Sequence, residues 1–365
     1  MMFYMPAKVY EEKNAVLNHA GEIKGVGTKA LIVTGKNSAK ACGALSDITK
    51  ALSDTPFVVF DEIEENPSIE TVMKAREIGV SENVDFVIGI GGGSPMDAAK
   101  AIALMICNGE RDESLLYDKS AETKALPVVA VPTTCGTGSE VTGASVLTIH
   151  EKRTKAGIPH KIFPVLSLVD AKYLRSASLD IIKNTSVDAL AHLVESVINS
   201  HASPFSLMCA ENGLAMWSRV KEPLITGNIT DADYDFLMHS SVLAGMAIAH
   251  AGTSIPHGLS YAVTYELGVP HGRACGIFLA NYLKAARANG LENEVDVVLA
   301  LLGFSSEDHL SEFMDMLFGK TEISKEILEN AALKLSENKA KLAYSPFAVN
   351  YEMLCEIAGV GDGSV

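Results

Sequence analysis

The chain has 365 residues, a length that suits two domains sharing a site and is long for one. With 48% hydrophobic and 21% charged residues it is neither disordered nor fibrous. A net charge of −15 repels phosphate backbones and anionic lipid surfaces, which excludes nucleic acid and membranes as partners while leaving room for a local phosphate site. The six cysteines (Cys42, Cys107, Cys135, Cys209, Cys275, Cys355) form no C-x-x-C pair or zinc-ribbon spacing and read as reduced, mostly buried thiols. Residues 1–8 lack the basic and apolar regions of a signal peptide. The stretch from Ser240 to Pro256, interrupted by His250, falls short of the ~20 apolar residues that cross a bilayer. The expectation is a cytoplasmic protein; the sequence leaves a homo-oligomer open.

From Lys29 to Asp170, short β-branched runs alternate with amphipathic stretches, the pattern of a parallel sheet with crossover helices. Strands are expected at Ala30–Thr34, Phe57–Phe60, Phe86–Ile90 and Val128–Val131. Between them, helices are expected near Ser38–Leu52, Pro67–Gly79 and Pro95–Cys107, with Asn66 and Ser94 as N-caps. After about Arg175 helical patterns take over, at Thr185–Asn199, Pro204–Val220, Ala232–Ala251 and Gly276–Ala288. The division is therefore an α/β domain over 1–175 and a helical domain over 176–365.

In the segment Phe86 to Lys100, an apolar strand runs into Gly91, Gly92, Gly93 and Ser94 and then directly into a helix. Glycines let a phosphate approach the backbone, and the helix N-terminus offers free N–H groups and a favourable dipole. A tight strand-to-helix turn would carry the same letters, but four small residues in succession favour an anion site. Upstream, Gly25-Val-Gly27-Thr-Lys-Ala30 spells a dinucleotide fingerprint and is rejected, because it precedes its strand. A second loop, Pro132 to Glu140, leaves its strand with the hydroxyls of Thr133, Thr134, Thr137 and Ser139, which suit ligand binding at the carboxyl end of an open sheet.

Asp188 and His192 stand four apart, on one face of a helix. Alone they are equally an ordinary polar pair. His257 and His271, each inside a Pro-His-Gly, add two imidazoles. One carboxylate and three imidazoles make a borderline-hard set suited to Fe2+ or Zn2+, and the lack of a cysteine in that set argues against a soft structural site.

These motifs together resemble the iron-dependent (group III) alcohol dehydrogenase family. Gly-Gly-Gly-Ser-Pro-x-Asp-x-x-Lys at 91–100, Pro-Thr-Thr-x-Gly-Thr-Gly-Ser-Glu at 132–140, Asp-x-x-x-His at 188–192 and the pair His257 and His271 occur in the family's order. The resemblance implies a Rossmann-like dinucleotide-binding domain followed by an all-α domain, with a metal in the cleft between them. It implies Asp188, His192, His257 and His271 as ligands, and Gly91 to Ser94, within the motif that includes Asp97, as the pyrophosphate site. Asn66, Thr133, Thr134 and Lys155 would lie along the cofactor, beside the hydroxyls of Thr137 and Ser139. It also implies a nicotinamide cofactor and a small alcohol or aldehyde substrate, with iron as the metal and zinc as the alternative. Two departures stand out: Tyr261 replaces a histidine common near the nicotinamide, so a proton-relay role for that histidine does not carry over, and Cys135 replaces a common alanine.

After the first strand comes Gly35, where NAD-preferring relatives often carry an aspartate that repels a 2′-phosphate. With glycine there, Lys36 as a cation and Ser38 as an anion cap, NADP is the expected cofactor and NAD the other candidate. Rival readings are a zinc-dependent polyol dehydrogenase resembling glycerol dehydrogenase, disfavoured by His192, and a lyase resembling dehydroquinate synthase, disfavoured by the few basic residues between 180 and 275. A non-catalytic scaffold explains neither the glycine loops nor the four potential ligands.

Overall fold

Strand-forming runs and helix-forming runs segregate along this chain, and the computed structural model, which describes residues 2–152 and 154–360, follows that segregation. Two compact units result: Tyr4–Ala177, and a second that begins at Ser178 and includes Phe3.

In the first unit the strands are β1 (Lys8–Glu11), β2 (Ala30–Thr34), β3 (Phe57–Phe60), β4 (Phe86–Gly91), β5 (Val128–Pro132), β6 (Val146–Ile149), β7 (Thr154–Gly157) and β8 (Leu166–Val169). Six of them form one parallel sheet in the order β1-β8-β5-β4-β2-β3, and β6 and β7 pair as a separate antiparallel ribbon. Strands β2, β4 and β5 are buried along their whole length because helices cover both faces. Alternate residues go to opposite layers. Leu31, Val33 and Val87 pack with Val72, Ala98 and Ile102, whereas Ile32, Ile88 and Val129 pack with Ala39 and Ile48.

Four strands match the sequence reading to within a residue. The edge strand β1, β8 and the β6–β7 ribbon do not figure in it. Lys8–Glu11 shows only two half-buried residues between exposed ends, so it carries no apolar run to read. The helix expected over Ser38–Leu52 is two helices, α1 (Ser38–Ala41) and α2 (Ala44–Ala51), broken at Gly43, whose φ of +85° suits glycine.

Both expected N-caps are corrected. The helix α3 (Ile69–Ser81) is capped by Ser68, which accepts from the Thr71 N–H, and α4 (Gly93–Cys107) begins at Gly93 with Gly92 as N-cap. Asn66 instead adopts a left-handed φ of 59°, and its N–H donates to Ser94 Oγ at 3.0 Å, tying two loops together. Ser38 is the first residue of α1, with Asn37 at the cap position, so it does not cap that helix.

From Ser178 onward every element among the described residues is helical, including α5 (Leu179–Val197), α6 (Pro204–Trp217), α7 (Asp231–Ala251), α8 (Ile255–Leu267) and α9 (His271–Ala288). Among the described residues no helix is long and apolar enough to cross a membrane, and all six cysteines are free. Three of those thiols are buried, but Cys107 is exposed.

The loop after β5 is anchored by buried charge. Lys100, carried on α4 and fully enclosed, donates to the carbonyls of Ser139 and Ala144 at 2.8 Å each and to Ser139 Oγ at 2.7 Å. Burial pulls its pKa down to about 8 against the opposing pull of Asp97 and Glu140. Glu140 is buried with Oε1 lacking a hydrogen-bond partner, and burial pushes its pKa up to about 7 despite Lys100. A carboxyl that ionises near 4.5 unfolded and near 7 folded makes stability fall as pH rises through that window, by roughly 3 kcal/mol in all. Glu140→Gln removes that titration. The melting temperature of the variant, relative to the unmodified chain, should therefore rise between pH 5 and pH 8, and a gap that stays constant would show that Glu140 does not carry this cost.

Candidate active site

In the sheet unit, the chain leaves β2 and β4 in opposite directions along the sheet, to β3 on one side and β5 on the other. That makes the carboxyl edge between them a switch point, where open α/β sheets take ligands. Gly35, Gly91–Ser94 and Thr133–Thr134 follow the ends of β2, β4 and β5 there. The glycines are required by close neighbours. A Cβ at Gly92 would meet Thr134 Oγ1 at 3.0 Å, one at Gly93 would meet Thr137 Cγ2 at 2.8 Å, and Gly91 has a φ of +150°. The two loops therefore interlock: the Thr133 N–H donates to the Gly91 carbonyl at 2.9 Å, and Thr133 Oγ1 is buried without a partner.

The remaining sequence candidates divide by what already occupies them. Asp97 accepts from Ser139 Oγ at 2.6 Å and from the Val146 N–H at 2.9 Å, so its carboxylate braces the loop. Ser139 is spent on Asp97 and Lys100. Lys155, on β7, donates to Asn66 Oδ1 at 2.7 Å, and burial lowers its pKa. Lys36 and Ser38 are exposed, and the nearby Asp61 is ion-paired with Lys40 at 2.5 Å.

In the helical unit, Asp188, His192 and Glu195 fall at i, i+4 and i+7 of α5, on one buried face. His257 lies in the first turn of α8, after Pro256, and His271 opens α9, after Pro270. The two glycines following these histidines have separate packing reasons. A Cβ at Gly272 would sit 1.8 Å from the Asn184 carbonyl oxygen, so only glycine lets α9 press its N-terminus onto α5. A Cβ at Gly258 would meet Leu335 Cδ1 at 2.7 Å.

This packing converges four donors. Asp188 Oδ1 is 3.5 Å from His257 Nε2 and 3.7 Å from His271 Nε2, and Cys275 Sγ is 3.8 Å from His271 Nε2. One ligand atom from each of Asp188, His257, His271 and Cys275 lies within 4.8 Å of the other three. The sequence candidate His192 is not in that set. Its ring stacks on that of His257, with centroids 4.5 Å apart and planes at 16°, and it feels the charge of Asp188 directly. Sequence reasoning did not single out Cys275, whose thiol lies beside the candidate donors. Its signal was available: four residues after His271 on a helix is the same face.

Glu195 is the second residue missed. Its carboxylate accepts from His257 Nδ1 at 2.7 Å, from the His257 N–H at 2.9 Å and from the Ser254 N–H, so it caps α8 and orients the ring that α8 carries. That leaves His257 Nε2 turned inward. His257 Nε2 and Asp188 Oδ1 are buried with no hydrogen-bond partner, and such atoms cost about 1–3 kcal/mol each unless something binds them. A divalent cation fits: bonds of roughly 2.0–2.3 Å in tetrahedral array separate donors by about 3.3–3.6 Å.

Ionisation follows from the same crowding. Burial opposes the Asp188 carboxylate, but His192, His257 and His271 around it hold its pKa well below the usual range. Burial pulls His192 down to about 4 in spite of Asp188. Burial likewise opposes charge on His257, yet Cys275 and Glu195 raise it. For Cys275, burial pushes the thiol up, while His257 and His271 outweigh it and bring it down to about 7. Tyr261, in the place of the family's histidine, is half exposed and lies parallel to the His271 ring at 5.9 Å.

A parallel sheet with interlocked glycine loops at its switch point, and a helical unit with a carboxylate–imidazole cage, are the parts of a metal-dependent dinucleotide oxidoreductase. Residues 6–171 match the iron-containing alcohol dehydrogenase family, and residues 182–354 match the C-terminal domain of the Fe-containing alcohol dehydrogenase family. The chain belongs to the iron-containing alcohol dehydrogenase family. It is 30% identical over 288 residues to alcohol dehydrogenase 4 of Schizosaccharomyces pombe, covering 77% of this chain and 68% of that one. It is 28% identical to the NADPH-dependent butanol dehydrogenase of Clostridium saccharobutylicum, covering 87% of this chain and 82% of the relative. Among solved structures, an iron-containing alcohol dehydrogenase from Thermotoga maritima superposes with a TM-score of 0.90 at 36% identity, covering 98% of each chain.

Because Glu195 orients His257 without itself facing the other donors, Glu195→Gln should weaken divalent metal binding by about 10–100-fold while the fold persists. Chelator competition followed by circular dichroism checks this; unaltered affinity in a folded variant would remove Glu195 from the centre.

Proposed function

We propose that this chain reduces small aldehydes, and oxidises the corresponding primary alcohols, with NADP(H). In this reading Asp188, His192, His257 and His271 hold a catalytic divalent metal, and Gly91–Ser94 hold the coenzyme pyrophosphate. The observation that carries the metal reading is the pair of buried, unpartnered atoms, Asp188 Oδ1 and His257 Nε2. When bound, a ferrous ion supplies Lewis acidity toward the alcohol or carbonyl oxygen, and the nicotinamide supplies or accepts the hydride.

The chain's own residues do the positioning. Glu195 fixes the His257 tautomer by accepting a hydrogen bond from its Nδ1–H, leaving Nε2 with its lone pair free. Ser260 Oγ, which itself donates to the His257 carbonyl, lies 3.4 Å from His271 Nδ1 and serves that ring in the same way. Within the sheet unit, Lys100 and Asp97 brace the loop whose Thr134 and Thr137 side chains meet the glycines, so the free amides at the start of α4 stay aimed at a phosphate.

One substitution separates the sites. Gly92→Val forces its methyl groups into Thr134 and should weaken coenzyme binding at least tenfold, read by NADPH fluorescence titration, with the bound metal unchanged. Equal NADPH affinity in the variant would return the loop to a purely structural role.

NADP preference is supported by the missing carboxylate at Gly35, by the exposed Lys36, and by Asp61 being paired with Lys40. A Cβ at Gly35 would approach only the Ile63 carbonyl, at 3.3 Å, so aspartate is accommodated with a small shift. The unmodified enzyme should show a higher kcat/KM with NADPH than with NADH on a short aldehyde, and Gly35→Asp should reverse that order chiefly by raising KM for NADPH. A higher kcat/KM with NADH in the unmodified enzyme would sink the preference without touching the metal reading.

A further inference from the structure

Lys341 lies on the short helix Lys339–Leu342 and is half-buried. Its ammonium donates to Thr253 Oγ1, in the turn that leads into α8, and stands 5.9 Å from the centre of the Tyr261 ring. An ammonium has three N–H donors, and among the described residues no carboxylate pairs with this one and no acceptor besides Thr253 takes its protons. The segment is held in place: Ser200 donates through its N–H to the Tyr344 carbonyl at 2.9 Å and through Oγ to the Ala343 carbonyl at 2.7 Å, and Tyr344 packs over Gly252. Tyr261 is half exposed, and its ring lies parallel to that of His271 at 5.9 Å. An open aromatic face thus links a candidate metal donor to a cation with hydrogen-bonding capacity to spare.

The local charge favours an anion there. Asp188 and Glu195 are two buried carboxylates, which one divalent ion balances, and Lys341 then adds a positive charge with no counterpart, in a chain whose net charge is −15. We propose that Lys341 binds the anionic end of the substrate, so that the aldehydes this enzyme prefers are ω-oxo acids whose carboxylate reaches the lysine along Tyr261. The inference rests on the aldehyde reduction and the metal centre proposed above, and adds the substrate class. From Lys341 Nζ to the Tyr261 ring and on to the His271 ring are two steps of 5.9 Å. With about 2.8 Å allowed for a hydrogen bond at the lysine, an ω-oxo acid of about four to six carbons, roughly 6–9 Å between its terminal oxygens, covers the remainder. The chemistry at the carbonyl is that of any aldehyde: a hydride from the nicotinamide and one proton give the alcohol, and the carboxylate is unchanged.

Reduction of 4-oxobutanoate and 5-oxopentanoate, compared with butanal and pentanal of equal carbon number, tests this on the full-length metal-loaded chain. In at least one pair kcat/KM should be about tenfold or more higher for the oxo acid, the size expected of a charge-assisted hydrogen bond. Lys341→Met, which keeps the length of the side chain and removes its charge, should cut that ratio about tenfold through the KM of the oxo acid, and Lys341→Arg should keep most of it. A smaller advantage in both pairs overturns the substrate class. A ratio that survives in folded Lys341→Met overturns the role of Lys341, as does an equal loss in Lys341→Arg. No turnover of any of the four aldehydes overturns the reductase reading itself, and this inference with it. Calorimetric titration of the metal-loaded chain reads the same contact without turnover. There 4-hydroxybutanoate should bind about tenfold more tightly than 1-butanol and lose that advantage in Lys341→Met, and equal affinities in the unmodified chain overturn the proposal.

Discussion

The contact on which the helical unit's chemistry depends is the approach of the start of α9 to the backbone of α5. At Gly272 a single added carbon would overlap the Asn184 carbonyl oxygen and crowd the Asp188 amide. No rotamer change relieves a clash with backbone, so any larger residue must push the helices apart. That displacement would carry His271 away from Asp188, because His271 is the adjacent residue and the first of its helix. The Pro-His-Gly at 270–272 is thus a packing device as much as a donor: proline starts the helix, glycine permits the contact, and histidine is delivered by the two.

Glu195 performs the corresponding task for α8. A buried carboxylate is costly unless its oxygens are satisfied, and here both accept hydrogen bonds, from backbone N–H groups at the start of α8 and from the ring of His257. Capping the helix and orienting the donor are therefore one interaction. The carboxylate gains from the positive end of α8, and the ring is fixed by the same atom that fixes the backbone beneath it. Asp188 is the opposite case, a buried carboxylate with one oxygen left unpartnered, which is tolerable only where a cation completes it.

Much of this was legible in the sequence because long buried strands and long helices write strong patterns. Ala30–Thr34 and Phe57–Phe60 are legible to the residue, and the long helices to within about two turns, the helix expected from Thr185 starting at Leu179. What escaped lies where local letters do not determine the outcome. Asn66 and Ser94 have good N-cap chemistry, but Ser68 and Gly92 take those positions because the helices start elsewhere, and Asn66 and Ser94 bond to each other across 28 positions of sequence. Asp188 and His192 share a buried helix face as their spacing implies, and each acts strongly on the charge of the other. The ring of His192 lies along that of His257. Cys275 was passed over because a single cysteine in an apolar helix is most often core, and only the neighbouring helices bring Asp188 and His257 beside it.

The glycines of the two units differ in what they protect. At Gly92 and Gly93 the obstructing atoms are threonine side chains, which can rotate at modest cost, so those positions tune how closely the two loops interlock. At Gly272 the obstruction is a carbonyl oxygen within a helix, which cannot move without the helix. Gly92 and Gly93 are therefore physically more forgiving than the glycine of the Pro-His-Gly at 270–272, whereas Gly91 is fixed by its φ of +150° and by the Pro95 ring. The severity of the constraint is set by whether the neighbour is side chain or backbone, a property of tertiary packing that composition and spacing do not encode.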